Sequence, residues 1–249
     1  MNPVVRRVII AITLVFLKAL YRLFGGFRVR GLENIPVTGA AILAPNHHSW
    51  ADPLAIRSVI RRTCWFMGNH DLFQIPILGR LLPIYGAFPV ERGTLDRDAI
   101  KTAEAHLKAG DLLVVFPEGG TTITGRLMPF EGGVALLALR NNVPIIPVAI
   151  TGTDKVLPMG PSVKPPYRVH YAKGGVTLTF GKPILLEEIA PDLPRRERVD
   201  LLTLRIYEAV RDLLPQEYRA LPSDPQPSVP AEPTEREPVK SGAAEYESG

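Results

Sequence analysis

Hydrophobic residues recur along the chain in short runs that polar or glycine-rich stretches separate. From Phe27 onward, eight runs have the length and composition of β-strands. They read FRVRG, AAILAP, CWFMG, GAFPV, DLLVVFPEG, VPIIPVAI, YRVHYA and GVTLTFG. Helical spacing of apolar residues follows in residues 53–60, 71–81, 95–109, 133–141 and 195–214. The alternation predicts an α/β fold: a single three-layer domain with a mixed, largely parallel sheet flanked by helices.

The N-terminal segment has a different pattern. The run VIIAITLVFL starts at Val8 and is followed by Lys18 and Arg22. It is shorter than the roughly 20 residues that a spanning helix needs. At about 100° per residue, Arg7, Lys18 and Arg22 fall on one side of a helix and most apolar residues on the other. The pattern predicts an amphipathic membrane helix over residues 1–26 that lies in the interface of a bilayer.

Two other kinds of segment share part of this pattern. A secretory signal also begins with basic residues and an apolar core, but no small-x-small cleavage site follows here and the downstream flank is basic. An amphipathic helix packed on the protein's own core gives the same periodicity as a membrane helix. The sequence therefore leaves a membrane surface and the protein's own core open as the partner of the apolar side.

Charge is unevenly distributed along the chain. The formal net charge is +4, yet residues 222–249 contain six acidic and two basic side chains, so this tail carries −4 and the remainder +8. The tail also has six prolines and little apolar bulk, which predicts disorder. The basic body favours an anionic partner such as a membrane surface. Nucleic acid is not expected, because no basic stripe interleaved with aromatics and no nucleic-acid-binding motif is present.

Composition also limits the chemistry. Cys64 is the only cysteine, and it lies in the apolar stretch CWFM. One cysteine excludes an internal disulfide, a zinc knuckle and a Cys-x-x-Cys redox pair. A buried and unreactive thiol is the expected state of Cys64.

The segment NHHSWADP carries the densest group of titratable residues. It follows AAILAP, and ligands of α/β sheets bind at the carboxyl ends of strands. Asp52 precedes Pro53, which predicts a helix N-cap with proline at the first helical position. A folded-back loop would also let Asp52 reach His47. A carboxylate on one imidazole nitrogen fixes the tautomer, so that the other nitrogen can accept a proton.

A second candidate lies at the end of DLLVVFPEG. Glu118, Gly119 and Gly120 close this strand, and consecutive glycines let backbone N–H groups turn toward an anion or oxyanion. No Gly-Lys-Ser/Thr follows, so the segment is not a nucleotide-binding P-loop.

Four segments follow one another along the chain in the order NHHSWAD, GAFPVERG, FPEG and VPIIPVAI. Their order and spacing resemble the sequence blocks of the glycerolipid acyltransferase family, especially the bacterial 1-acylglycerol-3-phosphate acyltransferases. The resemblance covers about residues 30–185 and implies an acyltransferase domain over residues 27–221. It further implies acyl transfer from acyl-carrier protein or acyl-coenzyme A to the hydroxyl of 1-acyl-sn-glycerol 3-phosphate, giving phosphatidate. The expected location is the cytoplasmic face of the cell membrane, and no cofactor or metal is expected.

The same resemblance assigns roles to residues. His47 is the implied general base, because it is the histidine with four residues before Asp52, and Asp52 would orient its ring; His48 would be dispensable. Gly86 and Arg92 match the second block, whose arginine binds the acceptor's phosphate, and a guanidinium suits phosphate oxygens. The complete set of expected substrate-binding residues is Arg92, Glu118, Gly119, Gly86, Gly120 and Arg126.

Three positions depart from the family pattern. Thr121 stands where the third block usually has an arginine, and Glu131 where it has a lysine. Asn69 takes the place of a lysine between the first two blocks. Arg126 is the one new base in the third block and a candidate replacement. These changes make a lysolipid or hydroxyl-lipid without a terminal phosphate monoester an alternative acceptor.

Three other functions compete with acyl transfer. A lipid hydrolase would use Ser49 with His47 and Asp52, but the G-x-S-x-G elbow is absent. A metal site would need His47, His48 and His70, yet HEXXH is absent and adjacent histidines on an extended segment point to opposite faces. A non-enzymatic membrane-binding module would leave the later blocks unexplained.

Overall fold

The computed structural model describes residues 3–23, 25–91, 96–122, 124–158 and 168–227. Within them the strands are β1 (Phe27–Arg30), β2 (Ala41–Pro45), β3 (Cys64–Asn69), β4 (Ala87–Val90), β5 (Leu112–Val114), β6 (Ile145–Thr151) and β7 (Val176–Phe180). The α-helices are α1 (Pro3–Leu23), α2 (Asp52–Val59), α3 (His70–Gln74), α4 (Leu78–Leu81), α5 (Arg97–Lys108), α6 (Gly133–Asn141), α7 (Thr153–Val156) and α8 (Arg195–Leu213). Short 3-10 helices occupy Leu32–Asn34, Leu186–Glu188 and Gln216–Tyr218.

All the described strands form one sheet in the order β1-β7-β6-β2-β5-β3-β4. The neighbours from β6 to β4 are parallel, and β1 is parallel to β7. The junction between β6 and β7 is antiparallel. The sheet is therefore mixed and largely parallel, as the sequence predicts. The carboxyl ends of β2, β5 and β6 meet at one edge, where parallel sheets bind ligands.

Both faces of the sheet are covered. Successive residues of β2 point to opposite faces: Ala41 and Leu43 pack under α1 and α2, while Ile42 and Ala44 pack under α5, α6 and α8. All four are fully buried. Burial on both sides explains why this strand is a continuous apolar run without alternation. The predicted three layers of helix, sheet and helix are confirmed.

Two predicted elements differ from the structure. The helix expected over residues 71–81 is divided into α3 and α4, because Pro76 has no N–H and disfavours helical dihedrals in the residue before it. The strand expected for YRVHYA begins at a residue outside the described ranges, and residues 168–172 are not a strand. His170 instead donates its N–H to Val156, and Ala172 accepts from Gly175 in a turn. These local bonds take the place of pairing with the sheet.

Helix α1 has two apolar faces. Ile10, Leu17 and Tyr21 face the core beside α2, so one side of the helix packs on the protein itself. The opposite face exposes Val8, Ile12, Val15, Phe16 and Leu23. No helix in the described ranges is both long enough and apolar enough to cross a membrane. Membrane association of α1 stays a prediction, and the tail from residue 228 onward lies outside the described residues.

Candidate active site

The loop that follows β2 brings His47 and Asp52 together in the protein interior. His47 is 6% exposed and Asp52 fully buried. Nδ1 of His47 lies 2.8 Å from Oδ2 of Asp52. The same oxygen accepts the backbone N–H groups of His48 at 2.7 Å and Ser49 at 2.8 Å. One carboxylate oxygen thus fixes both the imidazole and the loop, and it leaves Nε2 of His47 as the ring nitrogen for proton transfer.

The predicted helix cap at Asp52 is wrong. Asp52 is the first residue of α2, and the N-cap position belongs to Ala51 without a side-chain capping bond. The carboxylate turns back and accepts N–H groups of the preceding loop instead of those of the helix. Pro53 does lie in the first turn, where a missing N–H costs no hydrogen bond.

Asn46 anchors the start of the loop to the neighbouring strand. Its Oδ1 accepts the backbone N–H of Ile150 at 2.7 Å, and its Nδ2 donates to the Ile150 carbonyl at 2.9 Å. Nδ2 also lies 3.1 Å from Nδ1 of His48. The side chain of Asn46 therefore pairs with β6 much as a further strand residue would.

Glu118 links the third block to His47. It is 5% exposed, its Oε1 accepts the backbone N–H of His47 at 2.7 Å, and its Oε2 accepts that of Met128 at 3.1 Å. Burial raises the pKa of Glu118 to about 8, against the opposing effect of these two bonds. Both oxygens are thus engaged with backbone, and direct contact of Glu118 with substrate stays a prediction.

The segment after β5 also encloses the ring of His47. The ring of Phe116 stacks on it with centroids 4.0 Å apart and planes inclined by 27°. The N–H of Thr122 donates to the carbonyl of His47 at 2.9 Å. Phe116 is in the FPEG motif, but its contact with His47 leaves no pattern in the sequence.

Neither the hydrolase site with Ser49 as nucleophile nor the histidine metal site has the required geometry in the structure. Ser49 is fully buried, and its Oγ donates to the Leu157 carbonyl at 2.8 Å and accepts the N–H of Ala51 at 3.1 Å. These bonds leave it poorly placed as a nucleophile activated by His47. Within the described ranges, no group of three or more histidine, cysteine, aspartate or glutamate side chains is arranged to hold a metal.

The buried pair of His47 and Asp52 therefore combines with the third block at the carboxyl edge of an α/β sheet. A family model described as acyltransferase matches residues 26–151, about half of the chain. The chain belongs to the acyltransferase family. It is an O-acyltransferase, and the resemblance noted from the four sequence blocks is confirmed.

Individual relatives agree with this assignment. The acyltransferase is 27% identical over 198 residues to 1-acyl-sn-glycerol-3-phosphate acyltransferase of Bacillus subtilis, with 79% of this chain and 92% of that protein aligned. It is 31% identical over 147 residues to lyso-ornithine lipid O-acyltransferase of Brucella abortus, with 55% and 54% aligned. The crystal structure of 1-acyl-sn-glycerophosphate acyltransferase from Thermotoga maritima matches with a TM-score of 0.61 and 25% identity over 82% of this chain and 80% of that one.

The two glycines after Glu118 have different environments in the acyltransferase. Gly119 has a φ of 67°, and its N–H donates to the Phe116 carbonyl at 3.2 Å. A Cβ on Gly119 would lie 2.5 Å from Oε1 of Glu131, so the carboxylate of Glu131 rests directly on this turn. Within the described residues no hydrogen bond from the N–H of Gly120 is found, and its role as a substrate-binding residue stays a prediction.

Gly86 is not brought to the site. It has a φ of 89° and precedes β4, and a Cβ there would lie 2.5 Å from the carbonyl oxygen of Cys64, the first residue of β3. Gly86 therefore lies at the amino end of the parallel strands, opposite His47, and allows close approach of β3. Its expected place in the substrate site is corrected. Arg92 lies outside the described residues.

The remaining predicted positions have local roles. Arg126 is half-buried, and its carbonyl accepts the hydroxyl of Thr122, which is the residue that donates to His47. Asn69 caps α3 by accepting the N–H of Asp71. Glu131 is exposed and Thr121 half-buried.

Two residues far away in sequence also support the loop, and sequence patterns gave no signal for either. The hydroxyl of Tyr21 in α1 donates to the carbonyl of Ala51 at 2.8 Å. The ring of Tyr218 stacks on His48, with centroids 5.0 Å apart.

Proposed function

We propose that the protein transfers an acyl group from acyl-carrier protein or acyl-coenzyme A to the free hydroxyl of 1-acyl-sn-glycerol 3-phosphate, giving phosphatidate and a free thiol. One observation carries the proposal: a buried imidazole is held by a buried carboxylate at the carboxyl edge of the sheet, in a chain of the acyltransferase family. The Bacillus subtilis relative bears the name of this activity and aligns over most of both chains.

The chemistry of the step follows from the two side chains. Nε2 of His47 accepts the proton of the lipid hydroxyl as its oxygen attacks the thioester carbonyl carbon. Asp52 stabilises the imidazolium that forms. The tetrahedral intermediate collapses, the C–S bond breaks, and the departing thiolate takes the proton from His47. No acyl-enzyme is needed, because a thioester is already activated and positioning supplies much of the rate.

Anion binding by the third block complements this chemistry. The N–H of Gly120 is the proposed donor to the oxyanion of the tetrahedral intermediate. Arg92, through the resemblance of its block, and Arg126 are the proposed cations for the acceptor's phosphate. Arg92 and Arg126 would therefore act in acceptor binding, whereas His47 and Asp52 act in proton transfer.

A second acceptor class is favoured by Glu131. Its carboxylate rests on Gly119, one residue from Glu118, at a position where the family pattern has a cation. A carboxylate there repels a phosphate monoester and attracts an ammonium group. A lysolipid with an amino head group is therefore the alternative acceptor, and the Brucella abortus relative is named for one such lipid.

The decisive experiment offers labelled acyl thioester to purified protein with competing acceptors: lysophosphatidate, lysophosphatidylglycerol and lyso-ornithine lipid. Wild type, His47→Ala, Glu131→Lys and Glu131→Gln are compared. We expect lysophosphatidate to be acylated and His47→Ala to be inactive. If the amino lipid is acylated instead, Glu131→Lys should reduce its use more than the neutral Glu131→Gln does.

Two results would overturn acyl transfer by His47. One is the absence of any acylated lipid with wild type and every acceptor and donor pair. The other is wild-type activity in His47→Ala. His70→Ala is the matched control, because His70 lies in α3 with its ring beside Gln74 and has no assigned role in the reaction.

We further propose that α1 holds the enzyme on the cytoplasmic face of the cell membrane. The exposed apolar face of the helix would enter the bilayer interface, and Lys18 and Arg22 lie beside that face. The inner leaflet of the cell membrane is anionic and attracts basic residues at this level. Such docking would bring the loop of His47 to the lipid, because Tyr21 of α1 bonds to this loop.

Vesicle sedimentation tests this docking. Wild type should bind vesicles that contain phosphatidylglycerol more tightly than phosphatidylcholine vesicles, and Phe16→Glu should lose most of the binding. Val37→Glu is the matched control, because Val37 is an exposed apolar residue outside α1. Equal binding by Phe16→Glu and wild type would exclude α1 as the membrane contact.

A further inference from the structure

We propose that Tyr218 is a positioning residue for acyl transfer: from the C-terminal end of the folded domain it fixes the loop that carries His47. Tyr218 lies beyond the residues that the family model matches. The role of Tyr218 in catalysis rests on the proposed function, whereas its contacts are observed in the structure.

Tyr218 is itself held firmly. It ends the 3-10 helix Gln216–Tyr218 and is 4% exposed. Its hydroxyl donates to Oδ1 of Asp154 at 2.9 Å and accepts the N–H of Gly152 at 3.1 Å. Asp154 lies in α7 and Gly152 directly follows β6, so the ring is anchored to the carboxyl edge of the sheet. An anchored ring can position a neighbour, whereas a mobile one cannot.

The first route from Tyr218 to His47 passes through a side chain. The ring of Tyr218 stacks on the imidazole of His48, with centroids 5.0 Å apart and planes inclined by 23°. His48 is 2% exposed, and Nδ2 of Asn46 lies 3.1 Å from its Nδ1. The backbone N–H of His48 donates to the same Asp52 oxygen that holds the ring of His47. Movement of His48 would therefore disturb the hydrogen bond between His47 and Asp52.

Burial of His48 supports this route. Desolvation lowers the pKa of His48, although the carboxylates of Asp52 and Asp154 act in the opposite direction and His47 adds to the lowering. A neutral imidazole can accept the hydrogen bond from Nδ2 of Asn46. The neighbour expected to be dispensable is thus a buried part of the loop's support.

The second route passes through the main chain. The carbonyl of Tyr218 accepts the N–H of Leu127 at 2.8 Å. The next residue, Met128, donates to Oε2 of Glu118, and Oε1 of Glu118 accepts the N–H of His47. Tyr218 therefore contacts both segments that enclose His47, the loop after β2 and the third block.

Three substitutions separate positioning from stability. Tyr218→Leu removes the ring that stacks on His48, whereas Tyr218→Phe keeps the ring and removes only the bonds to Asp154 and Gly152. Val210→Ala is the stability control, because Val210 is buried in the same apolar cluster as Tyr218 but lies on α8. Each variant is tested as the whole chain, with melting temperature measured alongside steady-state kinetics on the best acceptor.

We expect Tyr218→Leu to lower kcat on the order of 10-fold or more, with a smaller change in KM, because small displacements of a reacting group are costly. Tyr218→Phe keeps the buried ring but loses its two anchoring bonds, so its kcat should lie between those of Tyr218→Leu and wild type. Val210→Ala should lower the melting temperature without this loss of kcat. Wild-type kcat in Tyr218→Leu would overturn the proposal, and so would an equal loss of kcat in Val210→Ala.

Amide hydrogen exchange provides a readout that does not need activity. In Tyr218→Leu, peptides covering residues 46–52 and 118–128 should exchange faster than in wild type, at temperatures equally far below each melting point. In Val210→Ala they should exchange as in wild type. Unchanged exchange in Tyr218→Leu would overturn the positioning role. If wild type acylates no lipid, the proposed function fails, and the exchange comparison still decides whether Tyr218 holds the loop.

Discussion

Asp52 holds His47 through the same oxygen that organises the loop between them. Oδ2 of Asp52 lies 2.8 Å from Nδ1 of His47 and also accepts the N–H groups of His48 and Ser49. Orientation of the base and folding of its loop therefore depend on one atom. An amide in place of the carboxylate retains an acceptor for the loop but loses the negative charge that stabilises a protonated His47.

Asp52→Asn is therefore expected to reduce kcat by roughly 10²–10⁴-fold, the range that general acid–base groups contribute. KM for the thioester should change little, because Asp52 is fully buried and acts through His47. Steady-state kinetics with labelled thioester measure both constants. A variant with nearly wild-type kcat, and a melting temperature like that of wild type, would show that the charge of Asp52 is not needed.

Part of the site could be predicted from local sequence. The pairing of His47 with Asp52 follows from a strand, a short loop and a helix start within eight residues. The bonds from the N–H groups of His48 and Ser49 to Asp52 could not be predicted, because they depend on loop dihedrals that no periodicity reports. The position of Gly86 could not be predicted from its sequence block, which also contains Arg92, because chain proximity does not say at which edge of the sheet a glycine lies.

The contacts of Tyr21 and Tyr218 with the loop after β2 could not be predicted from the sequence either. Tyr21 and Tyr218 bond to or stack on the loop after β2 from opposite ends of the folded domain. Contacts at such sequence separations leave no periodic pattern, so only the folded structure reveals them. The break of the predicted helix at Pro76, in contrast, is a local effect that the sequence does contain.

Ser49→Ala discriminates acyl transfer from serine hydrolysis. Its hydroxyl bonds to the Leu157 carbonyl and the Ala51 N–H, and loss of both bonds costs about 2 kcal/mol at about 1 kcal/mol each. We expect a lower melting temperature and a kcat close to that of wild type. Abolished turnover in a folded Ser49→Ala protein would instead support a serine nucleophile. Thermal melts and the acyltransfer assay on the same preparation provide the two readouts.

Glu118 predicts a specific pH dependence of stability. Burial raises its pKa to about 8 from the usual 4.5, so between these values the folded state binds more protons at this residue than the unfolded state. The contribution of Glu118 to the free energy of unfolding is therefore largest below the unfolded pKa and is lost as pH rises through the folded one. The slope approaches about 1.4 kcal/mol per pH unit at most.

Glu118→Gln does not titrate and serves as the reference for this effect. Urea unfolding of both proteins is measured between pH 5 and pH 8, an interval set by the two pKa values. Relative to the variant, wild type should lose stability as pH rises across this interval. Parallel stability curves for the two proteins would mean that Glu118 has the same pKa in the folded and unfolded states.

Gly119 and Gly110 form a matched pair for testing the turn beneath Glu131. Both have positive φ, at 67° and 81°, but a Cβ on Gly110 meets no atom within 4 Å, whereas one on Gly119 meets Oε1 of Glu131 at 2.5 Å. Alanine at either position costs about 1–2 kcal/mol for the left-handed conformation. Because the carboxylate of Glu131 is the far end of a flexible side chain, it can move aside at little further cost.

Gly119→Ala and Gly110→Ala should therefore destabilise the protein similarly in urea unfolding. The effects of Gly119→Ala and Glu131→Ala on the free energy of unfolding should be additive within about 0.5 kcal/mol. A much larger loss in Gly119→Ala, relieved by Glu131→Ala, would show that the carboxylate is held rigidly over the turn, as a fixed binding group for an ammonium would be.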